Sequence, residues 1–150
     1  ISYHHHMAAV IETEKELDVF MSYSGEALKL LYDAGHMAFS GGDVLRVIDN
    51  HHNRISHVHT KDVREEVIDK LDPTRESFLD AVIKGVFTVP GDGDLNFQSI
   101  ICRLASYNYQ GWFVVEAEQD PVISPPLKMA KLGYKELRKV LIACGYEIEN

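Results

Sequence analysis

Trp112-Phe113-Val114-Val115-Glu116-Ala117 is apolar at every position before Glu116 and then turns polar. Such a run reads as a strand buried on both faces, as in a parallel sheet, with an acid at its C-terminal end. The same form recurs upstream. Ala27 to Asp33 is a short apolar run ending in an acid, and Arg54 to His59 alternates polar and apolar before ending in a histidine. Ile1-Ser2-Tyr3 reads as a strand running into His4-His5-His6. Val86 to Val89 reads as a further brief strand, followed by the turn Pro90-Gly91-Asp92-Gly93-Asp94.

Helical patterns separate these runs. Thr13-Glu14-Lys15-Glu16 is a capping box, followed by Leu17, Phe20 and Met21 at helical spacing. Asp43 to Asn50 reads as a short helix with Val44, Leu45, Val47 and Ile48 available for packing. A helix starting near Thr74 is expected to pack Phe78, Leu79, Val82 and Ile83 and to stop at Gly85. Phe97, Ile100, Ile101 and Leu104 give another stripe, and Leu127, Ala130, Tyr134, Leu137 and Leu141 mark a closing helix. The connection after His59 runs to about two dozen residues, long enough to suggest function rather than plain linkage.

Strands separated by helices imply parallel pairing through right-handed crossovers, hence an α/β fold. Five strands are expected, near 1–6, 27–33, 54–60, 86–89 and 112–117. Two architectures fit: a doubly wound open sheet, and the C-terminal part of a (β/α)8 barrel with three strands missing upstream. The pattern leaves both open, although no glycine-rich phosphate fingerprint follows the first strand to support a nucleotide-binding unit.

The 150 residues read as a single domain, 1–150, with 45% hydrophobic content for a core. A formal charge of -8 argues against a nucleic-acid partner, which needs clustered Lys and Arg. Cys102 and Cys144 form no framework and read as small apolar residues, as expected of a reducing, cytoplasmic setting. No apolar run approaches the roughly 20 residues that span a bilayer, and no secretory signal is recognisable. His4-His5-His6-Met7 also has the look of a purification-tag remnant, but the lead-in Ile1-Ser2-Tyr3 favours a strand end in a chain cut from a longer one.

The polar residues at the strand ends carry the chemistry. His4 to His6, Asp33, His59 and Glu116 each terminate an apolar strand. In barrels and open sheets alike, these ends face the active site. Carboxylates and imidazoles converging there suit Mn, Co, Fe or Zn, and the absence of Cys ligands argues against a structural zinc. Alternation in His57-Val58-His59-Thr60-Lys61 puts residues 57, 59 and 61 on one face, inward if Val58 packs on the helices. It likewise groups His4 with His6 and sets His5 opposite. Asp33 and His36 lie three apart, close enough to share one ligand. Taken singly, each is more often a helix cap, a rim hydrogen-bonding group or the first solvated residue past a strand. Four coincident strand ends shift the balance toward a site. His51 and His52 read as a solvated helix end, and Glu118 and Asp120 flank the site in sequence.

His4-His5-His6-Met7, Asp33-Ala34-Gly35-His36, Gly41-Gly42-Asp43, His57 to Arg64 (HVHTKDVR), Phe87 to Gly93 (FTVPGDG) and Gly111 to Pro121 (GWFVVEAEQDP) together resemble the inosose dehydratases, a family of xylose-isomerase-like TIM barrels. The likeness covers nearly the whole chain. It implies a (β/α)8 barrel about twice this length, so that the first three βα units and the N-terminal half of the barrel are missing partners. It implies removal of water from 2-keto-myo-inositol to give a trihydroxycyclohexane dione, with Co or Mn as cofactor and glutathione as an accessory one. In the wider superfamily Glu, Asp, His and Glu hold the metal. The last three map onto Asp33, His59 and Glu116. The first falls on the His4 to His6 strand, with His4 taken as the ligand and His6 as the alternative.

The remaining assignments follow the chemistry. Removing a proton alpha to a ketone needs a cation on the oxygen, a base for the proton and an acid for the departing hydroxide. His36, Lys61 and Glu118 are assigned to proton transfer, and His6 and His57 to substrate contact. The partner is a small cyclic polyol ketone, with no nucleic acid and no membrane; homo-oligomerisation is left open. The alternative activity is a keto-sugar isomerase or epimerase with the same metal site. A superfamily endonuclease is disfavoured by the acidic balance, and a sugar-binding protein without catalysis is the reading from another class. A barrel lacking three strands would expose unpaired edges, so this length alone is expected to be inactive.

Overall fold

The computed structural model describes residues 1–148. In chain order the elements are β1 (Ser2–His4), α1 (Glu14–Tyr23), β2 (Lys29–Asp33), α2 (Ala34–Phe39), α3 (Val44–His51), β3 (Ile55–His59), β4 (Asp62–Val63), α4 (Glu65–Ile68), α5 (Phe78–Ile83), β5 (Phe87–Thr88), α6 (Phe97–Ser106), β6 (Trp112–Val114) and α7 (Pro126–Ala143). Local chemistry sets several boundaries. Thr13 and Glu16 close the capping box that opens α1. Asp43 accepts from Leu45 and Arg46 at the start of α3, Ser77 and Asp80 form a second capping box on α5, and Pro126 opens α7. Gly85, with φ of +83°, lies just past α5 in the left-handed conformation that ends helices.

The main sheet has four parallel strands in the order β1-β2-β3-β6. Its register puts Asp33 beside His59 and His59 beside Val114. The ends of three neighbouring strands therefore lie level. Val58, Leu30 and Tyr32 are fully buried and pack against α1, α3, α6 and α7, through Leu17, Val47, Ile48, Ile100, Ile101, Leu104 and Leu137 among others. Because Val58 faces the helices, His57, His59 and Lys61 face the inner side.

The structure corrects five sequence expectations. The main sheet has four strands rather than five. β3 pairs directly with β6, while Phe87–Thr88 pairs antiparallel with Asp62–Val63 as a small separate ladder. Alternation identifies extended segments but not their partners. Trp112 was expected to be buried, yet it is 73% exposed, and Phe113 and Val114 are only partly covered. β6 is a sheet edge, with a strand neighbour on one side only among the described residues. On α5, Leu79 and Ile83 are exposed while Phe78, Ala81 and Val82 pack, because one helical stripe admits only residues three and four apart. Cys102 and Cys144 are joined in a disulfide with Cα atoms 5.1 Å apart. The packing of α6 on α7 brings them together across 42 residues, a proximity no spacing rule discloses.

His51 and His52 are likewise less solvated than expected. His51 Nε2 lies 2.6 Å from Asp18 Oδ1, and the His52 ring stacks on Tyr107. Among the described residues no helix is long and apolar enough to cross a membrane.

Candidate metal centre and its proton-transfer neighbours

Asp33 ends β2 and caps α2 at the same time. Its Oδ1 accepts from His36 N at 3.0 Å, which leaves Oδ2 aimed at the sheet's inner face. There Oδ2 meets His4 Nε2 at 3.2 Å and His59 Nδ1 at 3.3 Å, and His59 Nδ1 lies 3.5 Å from Glu116 Oε2. Asp33 thus caps α2 through Oδ1 and leaves Oδ2 facing the two imidazoles. His5 points the other way, as alternation expects, and is fully buried. Its Nε2 accepts from the backbone N–H of Asp33 at 3.2 Å, fastening the end of β2 to β1. Burial, partly opposed by Asp33, pushes His5 down to about 4, so it is neutral and free to accept. This supporting role was not foreseen, because a histidine facing the helices carries no sequence signal of what it touches.

Beside this group lies a second. The rings of His6 and His36 approach to 3.7 Å between centroids, and Glu118 reaches both, with Oε1 3.6 Å from His6 Nε2 and Oε2 3.4 Å from His36 Nε2. Lys61 joins the two groups. Its Nζ donates to Glu118 Oε2 at 2.9 Å and to His36 Nε2 at 2.7 Å, and lies 2.9 Å from Glu116 Oε2 and 3.7 Å from Asp33 Oδ2. It is fully buried and sits 5.0 Å from the centre of the Phe87 ring. Its stem runs under Gly35, where an added Cβ would come within 2.6 Å of Lys61 Cγ, so glycine is what lets α2 pass over the lysine. His57 lies on the same inner face, its ring 5.8 Å from that of His59, and enters neither group.

Electrostatics divide these residues by role. Burial opposes ionisation of Asp33, but contacts from His4 and His59 and the charge of Lys61 overcome it and hold the carboxyl well below the usual range. Burial likewise opposes ionisation of Glu116, and His59 and Lys61 reverse it. Desolvation works against a charge on Lys61, yet Asp33, Glu116 and Glu118 raise it above its ordinary value, so it stays an ammonium. His36 is pushed down to about 2, chiefly by burial, and remains neutral.

The first group suits a divalent cation. His59 Nδ1 and Glu116 Oε2 are both buried, the former facing Asp33 Oδ2 and Glu116 Oε2 and the latter with Lys61 Nζ 2.9 Å away. The 3.2 to 3.5 Å separations match the edge of a tetrahedron around a metal with ligands at about 2.1 Å, roughly 3.4 Å. The ligating atoms of His4, Asp33 and His59 all lie within 4.8 Å of one another, as do those of His6, His36 and Glu118. Two surface depressions lie elsewhere. One of ≈ 540 Å³ is lined by Arg64, Glu65, Glu66, Asp69, Asp92 and Asp94, and the other, of ≈ 340 Å³, lies against the starts of α1 and α3. Neither contains a histidine.

Comparison with known proteins agrees with the fold. The family described as "Xylose isomerase-like TIM barrel" matches residues 4–144. The rhizopine catabolism protein MocC of Rhizobium meliloti is 47% identical over 150 residues, covering 100% of this chain and 46% of that protein. An inosose dehydratase of Geobacillus thermodenitrificans is 49% identical over 146 residues, covering 97% of this chain and 48% of the relative. The chain spans about half the length of these curated relatives. Among solved structures, the IOLI protein with a bound zinc atom superposes with a TM-score of 0.61 at 12% identity, over 95% of this chain and 47% of that one. This last likeness concerns the fold.

Proposed function

The chain belongs to the xylose isomerase-like TIM barrel family, and on that footing we propose that it forms the C-terminal half of a metal-dependent inosose dehydratase. The substrate would be 2-keto-myo-inositol and the reaction an elimination of water. The observation that carries the proposal is the convergence of His4, Asp33, His59 and Glu116 at adjacent strand ends, with the Lys61–Glu118 pair beside them. The relatives of nearly 50% identity supply the substrate class.

Asp33, His59, Glu116 and His4 would hold the cation, proposed to be Mn or Co, which supplies the positive charge that makes a proton alpha to a ketone acidic enough to leave. The remaining steps belong to side chains. Lys61 is held protonated and so serves as donor rather than base. His36 stays neutral and takes one of the Lys61 hydrogen bonds, which fixes the direction of the ammonium. Glu118 receives Lys61 on Oε2 and keeps Oε1 toward His6, so it is proposed to accept the proton from carbon. Lys61 would then give a proton to the leaving hydroxyl, which departs as water. His6 and His57 are proposed to contact substrate hydroxyls. Glutathione has no residue assigned to it here. A cytoplasmic setting remains part of the proposal on the strength of the resemblance, not of the paired cysteines.

The test uses the complete protein, stripped with chelator, resupplied with Mn or Co and incubated with 2-keto-myo-inositol. A product lighter by one water, formed only with metal, is expected. A product of unchanged mass would move the activity to epimerases or isomerases, and no conversion would leave the proposed substrate wrong.

A further inference from the structure

The connection between β3 and β6 brings an apolar wall to an otherwise charged site. The Phe78 ring lies 5.6 Å from the His6 ring, inclined at 64°, and 6.1 Å from the His36 ring. Behind it stand Phe87, 5.9 Å away, and Phe39, 6.3 Å away. Phe87 is fully buried and carries Lys61 over its face, so it belongs to the scaffold. Phe78 is only partly buried and sits in front of it, beside the imidazoles.

Local chemistry fixes Phe78 there. It is the first helical residue of α5, placed by the capping box in which Ser77 N donates to Asp80 Oδ2 at 2.8 Å and Asp80 N donates to Ser77 Oγ at 3.2 Å. Glu76, just upstream, accepts from Asp72 N and pairs with Lys84, tying the approach to α5 back onto the helix. The ring is therefore presented by a capped helix rather than by a free loop.

A six-membered carbocyclic polyol has two unlike surfaces. Its hydroxyls and carbonyl project around the rim, while its axial C–H bonds make two apolar faces. The site carries both characters, with Lys61 gathering Glu118, Glu116 and Asp33 and with Phe78 beside the His6 and His36 rings. We propose that Phe78 is a specificity-determining residue that receives a C–H face of the ring, turning its oxygen-bearing rim toward the strand ends. The proposal rests on the dehydratase reading for its substrate. It adds that the connection, and not the strand ends, discriminates a ring from other polyols. Covering such a face with an aromatic ring removes apolar area from water and has a preferred geometry.

The experiment compares the complete enzyme with Phe78→Ala, Phe78→Leu and Phe78→Tyr, measuring KM and kcat for 2-keto-myo-inositol, metal content and thermal midpoint. Phe78→Ala is expected to raise KM about tenfold, roughly 1.4 kcal/mol of binding, with kcat within about threefold and metal content unchanged. Phe78→Tyr should behave like the parent, and Phe78→Leu should fall between while holding the fold. An unchanged KM in Phe78→Ala, or a loss confined to kcat, overturns the proposal while leaving the dehydratase reading intact. If the parent itself shows no dehydration, that reading fails separately. Calorimetric titration with the same ketone then decides the role of Phe78: about tenfold weaker binding in Phe78→Ala supports it, and equal or absent binding overturns it.

Discussion

Replacing Asp62 with Asn should change how the protein's stability depends on pH. Asp62 is fully buried at the start of β4. Its Oδ1 accepts from Val63 N at 2.8 Å and Leu95 N at 2.9 Å, but Oδ2 is buried with no partner among the described residues. Burial pushes the carboxyl from its ordinary 3.8 up to about 6; the backbone N–H groups of Leu95, Val63 and Gly93 oppose this and Asp94 adds to it. An acid whose folded value is raised is protonated more readily in the folded state. It therefore costs stability as pH rises from about 4 to about 6, and the full cost persists above that. At about 1.4 kcal/mol for each tenfold change in the ionisation constant, a rise from 3.8 to about 6 corresponds to about 3 kcal/mol. Asn keeps the accepting oxygen and carries no charge. Its amide nitrogen would stand where Oδ2 has no partner, which adds an offset that does not vary with pH. Urea unfolding of the complete parent and Asp62→Asn proteins between pH 4 and 8 measures the difference. The variant should gain on the parent as pH rises, most steeply between pH 4 and 6, by about 2 to 3 kcal/mol in all. Parallel stability curves across that range would refute the account.

Three further outcomes are expected. In the complete enzyme, alanine at Asp33, His59 or Glu116 should weaken metal retention by about a hundredfold or more and abolish metal-dependent turnover, read by metal analysis after desalting; an active, metal-replete variant would remove that residue from the ligand set. Lys61→Met should lower stability by about 3 kcal/mol, because it leaves buried Asp33 and the partly exposed Glu116 and Glu118 without their cation, and should stop water elimination while substrate still binds; denaturant unfolding and single-turnover product analysis check both. Cys102→Ser with Cys144→Ser, or reduction, should lower stability by at most about 4 kcal/mol for a crosslink spanning 42 residues. Thiol titration of the denatured, unreduced protein should find neither cysteine free.

Much of this protein was legible in its residues. The runs ending at Asp33 and His59 located two strand ends correctly, because polarity returns where a strand leaves the core, whereas β6 ends at Val114, two residues short of Glu116. Side-chain alternation put His4 and His6 on one face and His5 on the other, and grouped His59 with Lys61, since the period of a strand is fixed by backbone geometry. The caps at Thr13, Asp33 and Gly85 were equally local. Tertiary structure alone decided which strand lies beside which. It placed Trp112–Val114 against Ile55–His59 and set Phe87–Thr88 apart from the sheet, because strand pairing depends on hydrogen bonds between segments far apart in the chain. It also decided that Glu118 and His36 share Lys61, that His5 braces Asp33, that Phe78 stands against the imidazoles, and that Cys102 meets Cys144. Each of these is a contact across 25 or more residues, set by the packing of whole elements, and no periodicity along the chain encodes it.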